Sequence, residues 1–379
     1  MSLTPLLALD KPALLFAGQG SPWQLALAGS ASSHHSAGRL AEVLADARAL
    51  TGPVARTIAS TVPGAIGRLE ELTGPDALPQ AADIDVYPAV SVPGIVLSQI
   101  AAVDHLRDLG LDVTDATLLG HSQGSLGVVA ATQPTQALAF AILMGTAANH
   151  VAGATDDRGR MLSVRGLTKG VVDEMIADVA GVDVAVINGP RHVVLSGTPE
   201  ALTAARTRIE DLATAHNDKL EEAEFGGSAW NPQFDELAVA FPFHHSGNQA
   251  AADLAVEWAD KCGISFEGAT ARELADSILV QQHDWPAQVA RLHDNGVTHA
   301  LSLDSALTRM SERLLAGTGV AVVPAGSEAE RDALATPGTE LPGATNYEDF
   351  APRLVTLPDG ETYTQTRFST ATGMSPIML

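Results

Sequence analysis

The sequence predicts an α/β protein that is built on a parallel sheet and carries a second, smaller sheet as an insertion. Two patterns predict it. An apolar run at residues 116–119 leads into a glycine-rich turn at 120–124 and then into a run of small residues at 125–131, which is the order strand, sharp turn, helix. Residues 156–241 follow the order β-α-β-β-α, with a last strand expected within 236–241, which is typical of a split βαβ unit.

Further elements of the main lobe follow the same reasoning. Residues 13–16 are an apolar run that stops at the glycine-rich turn 18–22, as expected of a buried strand. Apolar residues recur at helical spacing over 91–109 and stop at a glycine. After the insertion, residues 287–295 are predicted to form a helix and residues 298–303 a strand.

The predicted boundaries give a main lobe, an insertion and a tail. The main lobe comprises residues 1–155 and 242–333, and the small subdomain comprises residues 156–241. Beyond about residue 333 the sequence loses its periodicity and gathers glycine and proline. Residues 334–379 are therefore predicted to be a C-terminal linker region.

Composition restricts the environment and the partners of the chain. Its 379 residues carry a formal net charge of −23, from 45 acidic and 22 basic residues, so nucleic-acid binding is not expected. The N-terminus has no basic segment before its apolar stretch, and we expect no later apolar run to reach membrane-spanning length, which favours the cytoplasm. A single cysteine, Cys262, excludes an internal disulfide, and we expect no metal site because no Cys/His cluster has zinc-ligand spacing.

Ser122 is the candidate nucleophile. GHSQG at 120–124 matches G-x-S-x-G, whose glycines permit a turn that lifts the serine hydroxyl out of the sheet edge at a helix N-terminus. The helix dipole and free amides favour an oxyanion there, and the amide of Gln123 is one candidate donor. The alternative is a glycine-rich turn whose serine caps a helix; the flanking strand and helix favour the nucleophile.

A serine hydroxyl needs a base that accepts its proton, and this chain has twelve histidines. His244 and His245 follow the strand-like run AVAFPF, in which a proline ends the strand. A solvated loop pair is the alternative interpretation, and the residues alone do not choose between the two histidines. Asp284 and Asp304 are candidates for a third member of a triad.

Several ordered motifs resemble the malonyl/acetyl-CoA:acyl-carrier-protein transacylases, which include acyltransferase domains of fatty acid and polyketide synthases. The motifs are FAGQGS at 16–21, GHSQG at 120–124, NGP at 188–190, LSG at 195–197 and PFH at 242–244. The resemblance covers residues 14–325 and implies an α/β-hydrolase-like main lobe with a nucleophile elbow, plus an inserted ferredoxin-like βαβ subdomain. The chain looks most like the N-terminal acetyltransferase domain of a bacterial type I fatty acid synthase, and residues 367–379 resemble the join to a following enoyl reductase domain.

The resemblance implies roles for five residues. Ser122 matches the family nucleophile, and His244, directly after the Pro-Phe pair, matches the general base. The backbone amides of Gln19 and Gln123 match the oxyanion hole. The backbone carbonyl of Ile278 is expected to orient the histidine.

A departure from the family pattern bears on the acyl group. The expected substrate-binding residues are His121, Met144, Asn188 and Phe243. Met144 stands where malonyl-transferring members carry an arginine that pairs with the free carboxylate. A methionine suits an acetyl or longer apolar acyl group instead, although Arg165 or Arg191 of the small subdomain could supply a cation.

The resemblance therefore implies transfer of an acetyl group from acetyl-CoA, through acyl-Ser122, to the phosphopantetheine thiol of an acyl carrier protein, priming fatty acid synthesis. Expected partners are the carrier, the CoA thioester and neighbouring synthase domains; no metal or redox cofactor is expected. An acidic carrier would require a local basic patch or a covalent tether on this acidic chain. The alternatives are a malonyl/palmitoyl transferase, a serine thioesterase or hydrolase, and a non-catalytic docking module.

Overall fold

A computed structural model describes most of the chain. The described residues are 4–31, 34–74, 80–153, 159–222, 229–346, 353–356 and 362–365. The segment 367–379, which resembles a join to a following domain, lies outside them. Residues 353–356 and 362–365 pair as antiparallel strands within the region predicted to be a linker.

The strands, in chain order, are β1 (Ala13–Phe16), β2 (Thr117–Gly120), β3 (Arg160–Arg165), β4 (Val182–Gly189), β5 (His192–Gly197), β6 (Gln233–Glu236), β7 (His283–Asp284), β8 (His299–Ser302), β9 (Ala321–Pro324), β10 (Arg353–Thr356) and β11 (Thr362–Gln365). The α-helices are α1 (Trp23–Ala31), α2 (His34–Leu50), α3 (Ala55–Thr61), α4 (Ala65–Thr73), α5 (Pro88–Asp108), α6 (Gly124–Ala130), α7 (Pro134–Ala152), α8 (Lys169–Ile176), α9 (Pro199–Glu222), α10 (Gln249–Lys261), α11 (Ala271–Ala275), α12 (Trp285–Asp294), α13 (Ser305–Leu315) and α14 (Glu328–Ala335).

The main sheet is parallel, with strand order β2-β1-β8-β9. Successive side chains of β1 point to opposite faces: Leu14 and Phe16 join a core cluster with α5 and α14, whereas Ala13 and Leu15 join one with α12 and α13. Because helices cover both faces, β1 is apolar throughout and fully buried. The predicted strand at 13–16 and the predicted α/β fold class are confirmed.

Helix α5 lies in the core of the main lobe. Its 21 residues include one window that is long and apolar enough to cross a membrane. Our expectation that no apolar run reaches membrane-spanning length was therefore wrong. In that window 94% of the residues are buried inside the protein, where α5 packs against α1 and α7. A core helix between other helices is apolar on all sides for the same reason as a central strand.

The second sheet has the order β6-β3-β5-β4-β7. Neighbouring strands are antiparallel except β4 and β7, and α8 and α9 pack against the sheet through an apolar cluster. The strand predicted at 236–241 is wrong, because the last strand of the β-α-β-β-α-β unit is β6. Val239 and Phe241 are instead buried in the main helical core.

Strand β7 belongs to the second sheet but follows its other strands, β3 to β6, in the sequence. It pairs in parallel with β4, with His283 opposite Val186 and Asp284 opposite Ile187. Immediately after β7 the chain enters α12, which covers the main sheet. β7 therefore links the two sheets beside the carboxyl end of β2.

Candidate active site

The candidate site lies at the carboxyl ends of β1 and β2, where ligands commonly bind open parallel sheets. β1 is followed by the glycine-rich loop 17–22, and β2 is followed by the turn that contains Ser122. A Cβ atom on Gly18 would lie 2.7 Å from the carbonyl oxygen of His121 and 3.1 Å from the amide nitrogen of Gln123. The loop and the turn are therefore in backbone contact, and only glycine fits at position 18.

The turn has the strained geometry of a nucleophile elbow. Ser122 has a φ of 56°, in the left-handed region that side chains disfavour. A Cβ on Gly120 would lie 2.3 Å from the amide of Ser125, and one on Gly124 would lie 2.1 Å from the carbonyl of Phe16. Both glycines of GHSQG are thus required by close backbone approach.

The structure brings Ser122 and His244 together. Ser122 Oγ lies 2.7 Å from His244 Nε2, and His244 Nδ1 lies 2.7 Å from the carbonyl oxygen of Gln281. A carbonyl only accepts, so Nδ1 carries the proton and Nε2 presents its lone pair to the serine hydroxyl. This arrangement is what a base that deprotonates Ser122 requires.

Burial keeps the imidazole neutral. His244 is 1% exposed, and desolvation lowers its pKa to about 4, against the raising effect of the Gln281 carbonyl; His121 nearby lowers it further. A neutral histidine can accept the serine proton at physiological pH.

Side-chain hydrogen bonds fix the two residues whose amides are candidate oxyanion donors. Gln19 Nε2 donates to Gln123 Oε1 at 2.5 Å and to Ser91 Oγ at 3.1 Å. Gln123 Nε2 donates in turn to the carbonyl of Val92 at 2.8 Å, and Gln123 is fully buried. The loop after β1, the elbow and the start of α5 are held together by this network.

A cavity of about 730 Å³ opens between the elbow and the second sheet. Ser122, His121 and Asn188 line it, and His121 Nε2 lies 2.8 Å from Asn188 Oδ1. On the second sheet, Ser163 Oγ lies 3.0 Å from His192 Nε2 and both residues line the cavity. Burial lowers the pKa of His192 to about 4.

Arginines also line this cavity. Arg165 is paired with Asp235, and the guanidinium of Arg191 donates to the carbonyl of Gly166. Two exposed arginines of α13, Arg309 and Arg313, line the cavity as well. The cleft thus carries positive charge on a chain that is otherwise strongly acidic.

Comparisons with known proteins find similar sequences and similar folds. Residues 160–236 match the family described as the fatty acid synthase central AT domain. The fatty acid synthase subunit beta of Aspergillus oryzae is 24% identical over 258 residues, which is 58% of this chain and 13% of that protein. Over these residues the chain is similar to fatty acid synthase and polyketide synthase proteins.

Solved structures of acyl-carrier-protein transacylases share the fold of this chain. The malonyl CoA-acyl carrier protein transacylase of Clostridium perfringens superposes with a TM-score of 0.63 at 18% identity, covering 85% of this chain and 95% of that one. A chain from the structure of a type II polyketide synthase acyl-carrier protein in complex with its malonyl-transacylase superposes with a TM-score of 0.60 at 18% identity. The match covers 86% of this chain and 99% of that one. The chain spans 5–13% of the length of the first curated relatives it matches.

The carbonyl that orients His244 is not that of Ile278, so that prediction was wrong. The Ile278 carbonyl accepts the backbone N–H of His244 at 3.2 Å, not the side chain. Residues Asp276–Val280 form a π-helical turn, closed by the N–H of Gln281 bonding to the carbonyl of Asp276. Gln281 has an extended backbone, with ψ at 144°, and its carbonyl oxygen accepts the hydrogen bond from His244 Nδ1.

The competing site residues are bonded elsewhere. His245 Nε2 lies 3.3 Å from the carbonyl of Gly181, and its Nδ1 accepts a backbone N–H. Asp284 caps the N-terminus of α12, and Asp304 caps that of α13. In the described structure the partner of His244 Nδ1 is a backbone carbonyl, so an aspartate as third triad member is wrong.

Two predicted substrate-binding residues lie in the core instead. Met144 on α7 is fully buried, and Phe243 is 1% exposed with its ring centroid 5.0 Å from that of Phe241. Neither belongs to the described residues that line the cavity, so their predicted place in its wall was wrong. His121 and Asn188 do line it, as noted above.

His283 was not among the site residues predicted from the sequence. Its Nε2 accepts the backbone N–H of Ser122 at 3.1 Å, and the ring is buried. Burial, with added repulsion from His121 and His244, lowers its pKa to about 2. One signal was present in the sequence. Asp284-Trp285-Pro286 is a helix start, so His283 is the last residue of the segment before that helix.

Proposed function

We propose that this chain moves an acyl group from a CoA thioester to the phosphopantetheine thiol of an acyl carrier protein, through an ester on Ser122. The observation that carries the proposal is the aligned series Ser122 Oγ, His244 Nε2, His244 Nδ1 and the Gln281 carbonyl. It is buried at a strained elbow that opens on a cleft between the two sheets.

The proposed first half-reaction forms the acyl-enzyme. His244 Nε2 takes the hydroxyl proton while Oγ attacks the thioester carbonyl carbon. The amides of Gln19 and Gln123 are proposed to hold the oxyanion. The carbon–sulfur bond then breaks, and the CoA sulfur leaves with the proton from His244.

The proposed second half-reaction reverses these steps with a new thiol. The thiol of the carrier's phosphopantetheine gives its proton to His244 and attacks the ester carbonyl. The bond to Oγ breaks, and Ser122 regains the proton. The proposal of a carrier as acceptor is supported by the similarity to a transacylase solved with its acyl-carrier protein.

The cleft arginines support a phosphate-bearing substrate. Both CoA and phosphopantetheine carry phosphate groups, which guanidinium groups bind well. Arg309 and Arg313 are exposed along the cleft. They would also offer an acidic carrier a local basic surface, which the net charge of −23 otherwise denies it.

An acetyl group is our proposed acyl group, in a priming role within fatty acid synthesis. The support is the sequence position alone: Met144 stands where malonyl-transferring members carry the carboxylate-binding arginine, and the structure places it in the core and not in the cavity wall. No arginine therefore occupies that position to pair with a malonyl carboxylate. Arg165 and Arg191, which could replace it, already bind Asp235 and the Gly166 carbonyl.

The test is to incubate the purified chain separately with acetyl-CoA and malonyl-CoA and to measure intact mass, then map the adduct by peptide sequencing. We expect an acetyl adduct on Ser122 and little malonyl adduct. The Ser122→Ala variant should give none from either donor.

The remaining outcomes separate the alternatives. Efficient malonyl loading would contradict acetyl specificity and leave acyl transfer intact. An adduct that disappears at the same rate with and without carrier protein would indicate a hydrolase. No adduct from either donor would contradict the proposed function.

A further inference from the structure

The backbone N–H of Ser122 lies where neither strand nor helix can satisfy it. The N–H of His121 still bonds to the carbonyl of Phe16 on β1, and the N–H of Gly124 bonds back to the carbonyl of His121. Between them, Ser122 has left β2 and has not entered α6. A buried backbone donor without a partner is unfavourable, so its partner matters for the conformation of the elbow.

That partner is the His283 ring. The Ser122 amide nitrogen lies 3.1 Å from His283 Nε2, and His283 is 6% exposed. Nε2 can accept only while the imidazole is neutral, with its proton on Nδ1. The groups facing the ring, His121 with a centroid distance of 5.0 Å and His244 at 5.8 Å, oppose a charge on it.

His283 is held by the second sheet, not by the elbow. It pairs with Val186 of β4, and its ring stacks near Trp285 at a centroid distance of 6.2 Å. The preceding residue of the elbow is tied to the same sheet, because His121 Nε2 contacts Asn188 Oδ1 on β4. Two consecutive elbow residues are therefore anchored to adjacent strands of the other sheet.

We propose that His283 is a positioning residue, which holds the backbone of Ser122 through the N–H···Nε2 bond so that Oγ stays aligned with His244. The inference rests on Ser122 being the nucleophile of the proposed function. His283 acts on the main chain of Ser122, and its effect on the reaction passes through the position of Oγ. Losing it should lower the rate of Ser122 chemistry more than the affinity for substrate.

The test compares two polar replacements. His283→Gln can place its amide oxygen near the position of Nε2, whereas His283→Asn is one carbon shorter and ends near the position of Nδ1. We expect His283→Asn to reduce kcat for acyl transfer by roughly 10- to 100-fold with a nearly unchanged KM. His283→Gln should restore most of the rate. His299→Asn, on β8, is the control for replacing a histidine on a strand.

Two further readouts do not depend on the acyl donor. One is the rate at which a fluorophosphonate labels Ser122; the other is amide hydrogen exchange in the peptide that contains Ser122. Both rates should change in His283→Asn and recover in His283→Gln. These two results are expected even if neither CoA thioester acylates the wild-type chain. Failure of acylation would contradict the proposed function alone. Equal labelling and equal exchange in the two variants would overturn the positioning role.

Discussion

At the scale of single residues, the identity of the base follows from which ring points at Ser122. Two adjacent histidines share one segment, yet the Nε2 atom of His244 meets Oγ at 2.7 Å while that of His245 faces the carbonyl of Gly181. The left-handed φ of 56° at His244 separates their directions. His244 is therefore the residue that can exchange a proton with the nucleophile.

Replacing each histidine in turn tests this assignment. His244→Ala should slow acylation of Ser122 by about 10³-fold or more, because it removes the group that takes the hydroxyl proton. His245→Ala is the matched control and should stay within a few-fold of the wild-type rate. Quenched-flow mass measurement of the acyl-enzyme gives both rates. A loss in His245→Ala as large as that in His244→Ala would contradict the assignment.

The pair Ser122 and His244 could be predicted from the sequence, whereas the carbonyl that orients His244 could not. GHSQG requires a serine at the tip of a turn, which a local pattern can predict. The carbonyl depends on a π-helical turn over Asp276–Val280, which advances the chain so that Gln281, not Ile278, reaches Nδ1. No local pattern predicts such a turn, because the carbonyls of Ile278 and Leu279 accept the backbone N–H groups of His244 and His245, which are distant in sequence.

At the scale of elements, the packing of α1 on α5 positions the loop 17–22, which contains Gln19. Trp23 begins α1 directly after this loop and is 3% exposed. It packs onto Gly94 of α5, where a Cβ atom would lie 2.4 Å from the indole ring. Sequence periodicity predicted α5, but it gave no reason for a glycine inside the helix; the reason is the partner ring.

Gly94→Ala should therefore destabilise the protein. The added methyl group overlaps a buried indole, and overpacking of this kind costs about 1–3 kcal/mol in the free energy of unfolding. Gly67→Ala on α4 is the control, since nothing lies within 4 Å of its new Cβ and alanine favours a helix by up to about 1 kcal/mol. Urea unfolding measures both. Equal stability changes in the two variants would show that the contact with Trp23 is not tight.

At the scale of the whole molecule, composition predicted the net charge but not its distribution. The chain has 45 acidic and 22 basic residues, and four arginines nevertheless line one cleft. Four histidines, His121, His192, His244 and His283, also gather around the elbow and the cleft from segments far apart in sequence. Only the fold places them together, and their burial couples the site to the stability of the whole chain.

Stability should therefore fall as the pH falls from about 6.5 towards about 4. In this range the unfolded chain protonates its histidines, whereas burial keeps the pKa of His192 and of His244 at about 4 and that of His283 at about 2. The unfolded state then binds more protons, so each such histidine lowers the free energy of unfolding by about 1.4 kcal/mol per pH unit. Urea unfolding across this range measures the slope. His192→Gln should reduce the slope by about one proton, and His293→Gln, at an exposed position, is the control substitution. An unaltered slope in His192→Gln would show that His192 protonates in the folded state.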